Sequence, residues 1–241
     1  MTETARVTHG GRRMLDLFCG RWGWSKAFAV KGWECDGVDL VEPPEIPQGC
    51  RFIKADILNM RWSGDGRWLY FNEHEGIPRP DFICASSPCE QFSVHGMKHF
   101  HPNPPYPELG IKLFNHTREI CEASGVPYVM ENVRAAQQFV GQAVHHCGAF
   151  YLWGNSVPPL LHRGIVKGQS FRGVPGAWME KRPAHISVQD WRNQWQQESE
   201  RLAGGRANCA NFAATIPPEL ANCVADYAER LLEIENQVTA G

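Results

Sequence analysis

Short apolar runs that stop at an acid, a proline or a glycine turn constrain this chain more than any other feature. MLDLFC (14–19) enters a turn holding Gly20 and Gly23, WECDGVDL (33–40) ends on Asp39, and RFIKAD (51–56) ends on Asp56. DFICAS (81–86) stops at Ser87-Pro88-Cys89, and PYVMENV (127–133) ends in polar residues. Proline has no amide to donate and fixes φ, so it closes an inner strand. Cys89 is therefore expected just past a strand's carboxyl end. Between the runs, SKAFAVKG (25–32) reads as a short helix with Ser25 as its cap and Gly32 as its stop. LFNHTREICEAS (113–124) carries an apolar stripe at 113, 114, 117, 120 and 121, and CGAFYLW (147–153) reads as one more strand. IPPELANCVADYAERLLEIEN closes the chain as a helix, with prolines in its first turn and Leu220, Val224, Tyr227, Leu231 and Ile234 on one side. The alternation predicts an α/β fold with a mostly parallel sheet and helices on both faces. In such sheets ligands bind outside the carboxyl ends of the strands.

A chain of 241 residues accommodates one such domain and a small appendage. Its formal charge of −2 gives no general attraction to nucleic acid, so any such binding needs a local basic face. The nine cysteines are odd in number and lack the tight pairing of a disulfide scaffold, which fits a reducing cytosol. MTETARVTHGGRRM has no apolar core for a signal peptide, and no run approaches the roughly 20 residues of a membrane span. A soluble, cytoplasmic protein is expected. Residues 90–108, rich in histidine and proline, read as an irregular lid in which Gly96 is a pivot and Lys98, His99 and His101 meet phosphates. From 164 to 209 the pattern dissolves into glycine, proline, tryptophan and basic residues.

Each candidate has two readings on its own. Gly20 and Gly23 are a cofactor turn or an ordinary one; Asp39 and Asp56 hold a ligand or are solvated acids. Cys89 is a nucleophile or a small buried apolar residue, and Glu131-Asn132 a site or a loop start. Read in order, DLFCG, the acid after the second strand, KADI, SPCEQFS, MENV and the IPPELA helix resemble the DNA cytosine-5 methyltransferase family over about 12–163 and 209–235. The resemblance is to a short member with a reduced target-recognition region. It implies a Rossmann-like class I methyltransferase fold with a catalytic core at 1–163, a reduced recognition region at 164–208, and a final helix at 209–241 returning to the core.

The resemblance implies S-adenosylmethionine, possibly in a modified form, as the donor. Phe18, Cys19 and Gly20 would lie by its methionine part, Asp39 by its ribose and Asp56 by its adenine amino group, with Gly23, Leu40, Ile57, Ser87 and Thr215 as further cofactor-binding residues. Cytosine C5 attacks a methyl group only when electrons are pushed into the ring, which a thiolate adding to C6 and an acid at N3 accomplish. Cys89 and Glu131 take those roles, with Pro88 and Asn132 in their motifs. Arg163 is the nearest substitute for an arginine pair that usually helps to hold the base. The implied partner is double-stranded DNA with a flipped base, in a bacterial or phage-infected cell, without a membrane or an obligatory protein partner.

Three departures bear on this reading. Trp22 occupies a place where the family has glycine, which puts the close approach of backbone to donor in question. Ala213-Ala214-Thr215 replaces a Gly-Asn-Ser, which reads either as neutral drift or as room for an altered donor bearing an extra group, with Arg206 as its partner. The recognition region is short, yet Lys167, Arg172, Lys181 and Arg182 interleave there with tryptophans that either stack on nucleic acid or pack on the core. Competing readings are an adenine amino methyltransferase using Asn103-Pro104-Pro105-Tyr106, a tRNA cytosine-5 methyltransferase, a metal module built on His95, His99, His101 and Cys89 or on His145, His146 and Cys147, and a catalytically silent DNA-binding relative.

Overall fold

The computed structural model describes residues 11–73, 75–96, 106–159 and 216–239. The first half runs β1 (Arg13–Leu17), α1 (Ser25–Val30), β2 (Glu34–Asp39), β3 (Cys50–Lys54), β4 (Arg61–Trp62), β5 (Trp68–Tyr70), β6 (Gly76–Pro78) and β7 (Phe82–Ser86). The second runs α2 (Glu90–Gly96), α3 (Glu108–Ser124), β8 (Tyr128–Asn132), α4 (Gln137–Val140), β9 (His145–Cys147), β10 (Phe150–Trp153) and α5 (Pro218–Thr239). Seven strands form one sheet in the order β3-β2-β1-β7-β8-β10-β9. The first five of that order pair in parallel; β10 is antiparallel to both β8 and β9. The chain builds outward from β1 to β3, then returns to β7 on the other side of β1. That reversal opens a crevice above the carboxyl ends of β1 and β7. The architecture is a Rossmann-like class I methyltransferase fold.

Strand periodicity divides the core between the two faces. Leu15, Leu17, Val38, Ile83, Ala85 and Met130 face Phe114, Ile120 and Cys121 of α3 together with Leu69 and Ile77 of the small sheet. Met14, Cys35, Phe82, Cys84 and Val129 face Trp24 and Phe28, at the head and inside of α1, and Leu220, Val224 and Ala228 of α5.

Several local expectations are corrected. β4, β5 and β6 form an antiparallel sheet between β3 and β7, where no element was expected. The Asp65-Gly66 dipeptide between Trp62 and Trp68 is the hairpin signal that marks it. Residues 90–96 are helical, not irregular, and CGAFYLW is a hairpin, because Gly148 takes φ +58 and turns the chain back. The long helix starts at Glu108, a turn before its apolar stripe. Trp24, not Ser25, caps α1; Ser25 is its first residue. On α5 the buried face is Leu220, Ala221, Val224, Ala225 and Ala228, while Ile234 is 58% exposed at a helix end that has passed the sheet.

Trp22 solves its own steric problem. Its backbone takes φ +65, the left-handed conformation a glycine would supply, at a cost of about 1–2 kcal/mol. Its ring does not project from the turn but lies on Gly37 of β2: a Cβ there would come 2.2 Å from the indole. The indole is 1% exposed, donates its N–H to the Glu45 carbonyl at 2.8 Å and meets Phe52 edge-on. Burying an aromatic ring of about 150–250 Å² is worth about 4–6 kcal/mol. Burial outweighs the strain. Gly37→Ala is expected to cost about 1–3 kcal/mol in the native background and markedly less beside Trp22→Ala. A double-mutant cycle by urea denaturation measures the difference.

Candidate active site

β7 and β8 pair in parallel with Ser86 opposite Glu131, so both strands deliver their polar ends to the same edge. Beyond β7, Ser87 is buried, Pro88 is exposed and Cys89 is half-buried immediately before α2. The fully buried Asn132 clamps this corner: its amide donates to the Ser87 carbonyl at 2.9 Å and to the Ser87 hydroxyl at 3.0 Å, and its own oxygen accepts from the Val133 N–H at 2.8 Å. Ser87, expected to line the donor pocket, accepts through its hydroxyl oxygen in this clamp. α2 is anchored in turn by Phe92, fully buried and stacked on Phe139 at 6.0 Å, and by Gln91, which accepts from the Gly110 N–H at 2.7 Å. The thiol of Cys89 is thereby fixed to the scaffold on both sides.

Burial lifts the Glu131 carboxyl to about 8, against a hydrogen bond from Ser86 that holds it down. The Trp24 indole donates to the Ser86 hydroxyl oxygen at 2.9 Å, which leaves that hydroxyl's proton for Glu131. Cys89 is pushed up to about 11, first by burial and then by the Glu131 carboxylate, while the Ser93 hydroxyl holds it down. The Glu131 charge thus acts on Cys89, and at neutral pH each group carries its proton.

The donor-side residues gather along the neighbouring strand ends. Asp39 accepts from the Gly20 N–H at 3.0 Å and from the Val41 N–H at 3.2 Å, tying the turn after β1 to the end of β2. Gly20 has φ +46 and Phe18 φ +62 within that turn. Leu40 beside them is 59% exposed. Asp56 caps the short 3-10 turn Ile57–Asn59 through the Leu58 N–H at 2.9 Å, and Ile57 beneath it is buried. Gly23 has a packing reason to be glycine: a Cβ would stand 2.9 Å from the Cβ of Ile216 at the head of α5. Cys19 is buried, and burial pushes its thiol up strongly. Asp39 and Asp56 thus stand at neighbouring strand ends, with the exposed Leu40 beside Asp39, at the edge where the resemblance would set S-adenosylmethionine.

Arg163, Thr215, Arg206, the Ala213–Thr215 segment, Lys98, His99, His101, Asn103–Pro105 and the basic residues from Lys167 onward lie outside the described residues, as does the side chain of His95. Tyr106 is 62% exposed and meets Phe139 edge-on. Among the described residues no three His, Cys, Asp or Glu side chains converge as metal ligands, and no helix is long and apolar enough to cross a membrane.

Sequence reasoning missed Asp16, an acid inside the apolar run MLDLFC. It is 1% exposed and accepts from the Ser25 hydroxyl at 2.6 Å and the Ser25 N–H at 3.2 Å. Burial lifts it from an ordinary 3.8 to about 7, with the Asp39 charge adding to the lift. The folded chain thus keeps a proton between about pH 4 and 7 that the unfolded chain releases. Stability should fall as pH rises through that window, by about 1.4 kcal/mol per pH unit for this group. Asp16→Asn is expected to remove that share of the slope, read from urea denaturation at pH 5 and 8.

A second outcome follows from the Glu131 charge. Glu131→Gln removes a negative charge from beside Cys89, so the thiol should titrate at lower pH. The pH dependence of iodoacetamide labelling, followed on the Cys89 peptide, checks this; an unchanged midpoint would separate the two groups.

No family model matches the sequence, and no curated protein matches it. Among solved structures it is similar to the 1,6-didemethyltoxoflavin-N1-methyltransferase of Burkholderia thailandensis with bound 1,6-didemethyltoxoflavin and S-adenosylhomocysteine, at 16% identity over 60% of this chain and 55% of that one, with a TM-score of 0.29. It is also similar to the glycopeptide N-methyltransferase MtfA, at 15% identity over 53% of this chain and 48% of that one, TM-score 0.25. The same enzyme complexed with (S)-adenosyl-L-methionine matches at 14% identity over 63% and 60%, TM-score 0.28. The chain spans about half to three fifths of the length of these structures. The fold assignment rests on the strand order, which these likenesses do not extend.

Proposed function

We propose that this chain is a DNA cytosine-5 methyltransferase that uses S-adenosylmethionine and attacks a cytosine held outside the duplex. What supports the reading is that β7 and β8 deliver Cys89 and Glu131 to one edge of the sheet, where burial keeps the Glu131 carboxyl protonated up to about pH 8. A pyrimidine ring needs a nucleophile at C6 and a proton at N3, and these two groups supply both from neighbouring strand ends. The base must leave the stack to meet them, at a cost of a few kcal/mol.

In this reading the Cys89 thiol passes its proton to water and its sulfur bonds to C6, while Glu131 gives its proton to N3, so that the electrons pushed into the ring come to C5. S-adenosylmethionine, when bound, supplies the electrophilic methyl group. Water then takes the C5 proton, the C5–C6 double bond reforms as the C6–S bond breaks, N3 returns its proton to Glu131, and the departing thiolate is reprotonated from water. Asn132 holds the corner in place throughout, and Asp39 with the 18–23 turn binds the donor. The altered-donor reading depends on Ala213–Thr215 and Arg206, and no described residue favours it.

The test is mass spectrometry of nucleosides from duplex DNA and from tRNA incubated in parallel with the protein and donor. We expect 5-methylcytosine from DNA, its loss in Cys89→Ala, and a rate about 10²–10⁴-fold lower in Glu131→Gln. The native rate should fall as pH rises above about 8, where Glu131 gives up its proton. Product formed equally by Cys89→Ala would overturn the covalent route, and product from tRNA alone the substrate.

A further inference from the structure

The starts of β2 and β3 bring two more thiols together, at the end of those strands remote from Asp39. Cys35 and Cys50 are register partners on adjacent parallel strands, and both belong to the side of the sheet that packs on α1 and α5. Neighbouring strands lie about 4.8 Å apart, inside the range of about 4.4–6.8 Å between Cα atoms that a disulfide spans. Cys35 is 2% exposed, whereas Cys50 is half-buried and opens β3, which among the described residues has a strand neighbour on one side only.

The pair is asymmetric. The neighbouring Cys35 thiol and then the Lys26 ammonium lower the Cys50 thiol, in spite of burial and the charges of Asp16 and Asp36. Cys35 is raised by the Cys50 thiol and by burial, and its own S–H points to the Ser25 carbonyl at 3.6 Å and the Trp33 carbonyl at 3.7 Å. Among the described residues, the other cysteines with a resolved shift, Cys89 included, are pushed up. The thiolate reacts with peroxides, and the thiol far less.

We propose that Cys35 and Cys50 are a redox-active dithiol that reduces hydroperoxides and closes into an intrachain disulfide before Cys89 is touched. The Cys50 thiolate attacks one peroxide oxygen: an S–O bond forms, the O–O bond breaks and hydroxide (or alkoxide) leaves. The Cys35 sulfur then attacks the sulfenic sulfur, an S–S bond forms, the S–O bond breaks, and the departing hydroxide takes the Cys35 proton as water. With hydrogen peroxide, two thiols are oxidised and two waters result. The crosslink ties an edge strand to its neighbour and leaves the other ends of the strands, where Asp39 lies, as they were. It stands whether or not Cys89 is the nucleophile of a methyl transfer.

The reduced full chain is treated with hydrogen peroxide near equimolar amounts, alkylated, and mapped by peptide mass spectrometry. A crosslink between the Cys35 and Cys50 peptides is expected, reversed by a phosphine, and formed roughly tenfold or more faster than any loss of free Cys89. In Cys35→Ser, Cys50 should stall as sulfenic or sulfinic acid, and in Cys50→Ser the Cys35 thiol should persist. Native protein that forms no crosslink, pairs Cys50 with another cysteine, or consumes Cys89 first would overturn the proposal.

Discussion

The parallel register of β7 and β8 is the constraint on which the site depends. Ser86 lies opposite Glu131, and the next residues out, Ser87 and Asn132, are joined by hydrogen bonds. A slip of one residue would exchange the faces of the strand, moving Glu131 away from Ser86 and placing Met130 where the carboxyl now stands. The register is held from below by buried side chains on both faces, Ile83 and Ala85 on one and Phe82 and Cys84 on the other. Hydrophobic packing thus determines the position of a polar corner.

That corner uses burial as its chemical tool. In water Glu131 would be ionised at neutral pH; inside the fold it retains its proton because desolvation outweighs the Ser86 hydrogen bond. Trp24 takes part through Ser86, so the start of α1 reaches the acid across β7. Asp16 shows the same physics applied beneath α1, where the Ser25 hydroxyl and amide only partly offset burial. Two protonated acids near the sheet are a burden on stability at high pH, and the core on both faces has to carry it.

Much of the fold could be read from where apolar runs stop. β1, β2, β3, β7 and β8 were anticipated from runs ending at Asp39, Asp56, Pro88 and Asn132, because strand termination leaves a local chemical mark. The small sheet between β3 and β7 was not, since its strands of two or three residues are too short to display alternation. That Cys89 and Glu131 come from neighbouring strand ends was legible from the logic of strand termination. The Asn132 clamp, the Trp24–Ser86 link and the Cys35–Cys50 pair were not, because each depends on register between segments far apart in sequence. Asp16 left a signal, an acid amid apolar neighbours, whose meaning appears only when Ser25 is seen above it.

The interlock of Trp22 with Gly37 limits what each position can hold. An indole can enter the space over β2 only if position 37 is already bare, and once it is there the bare position cannot regain a side chain without expelling it. Losing the indole alone would leave a void of the kind that costs about 3–5 kcal/mol. The two positions therefore constrain one another, so that a side chain at 37 and an indole at 22 exclude each other within this fold.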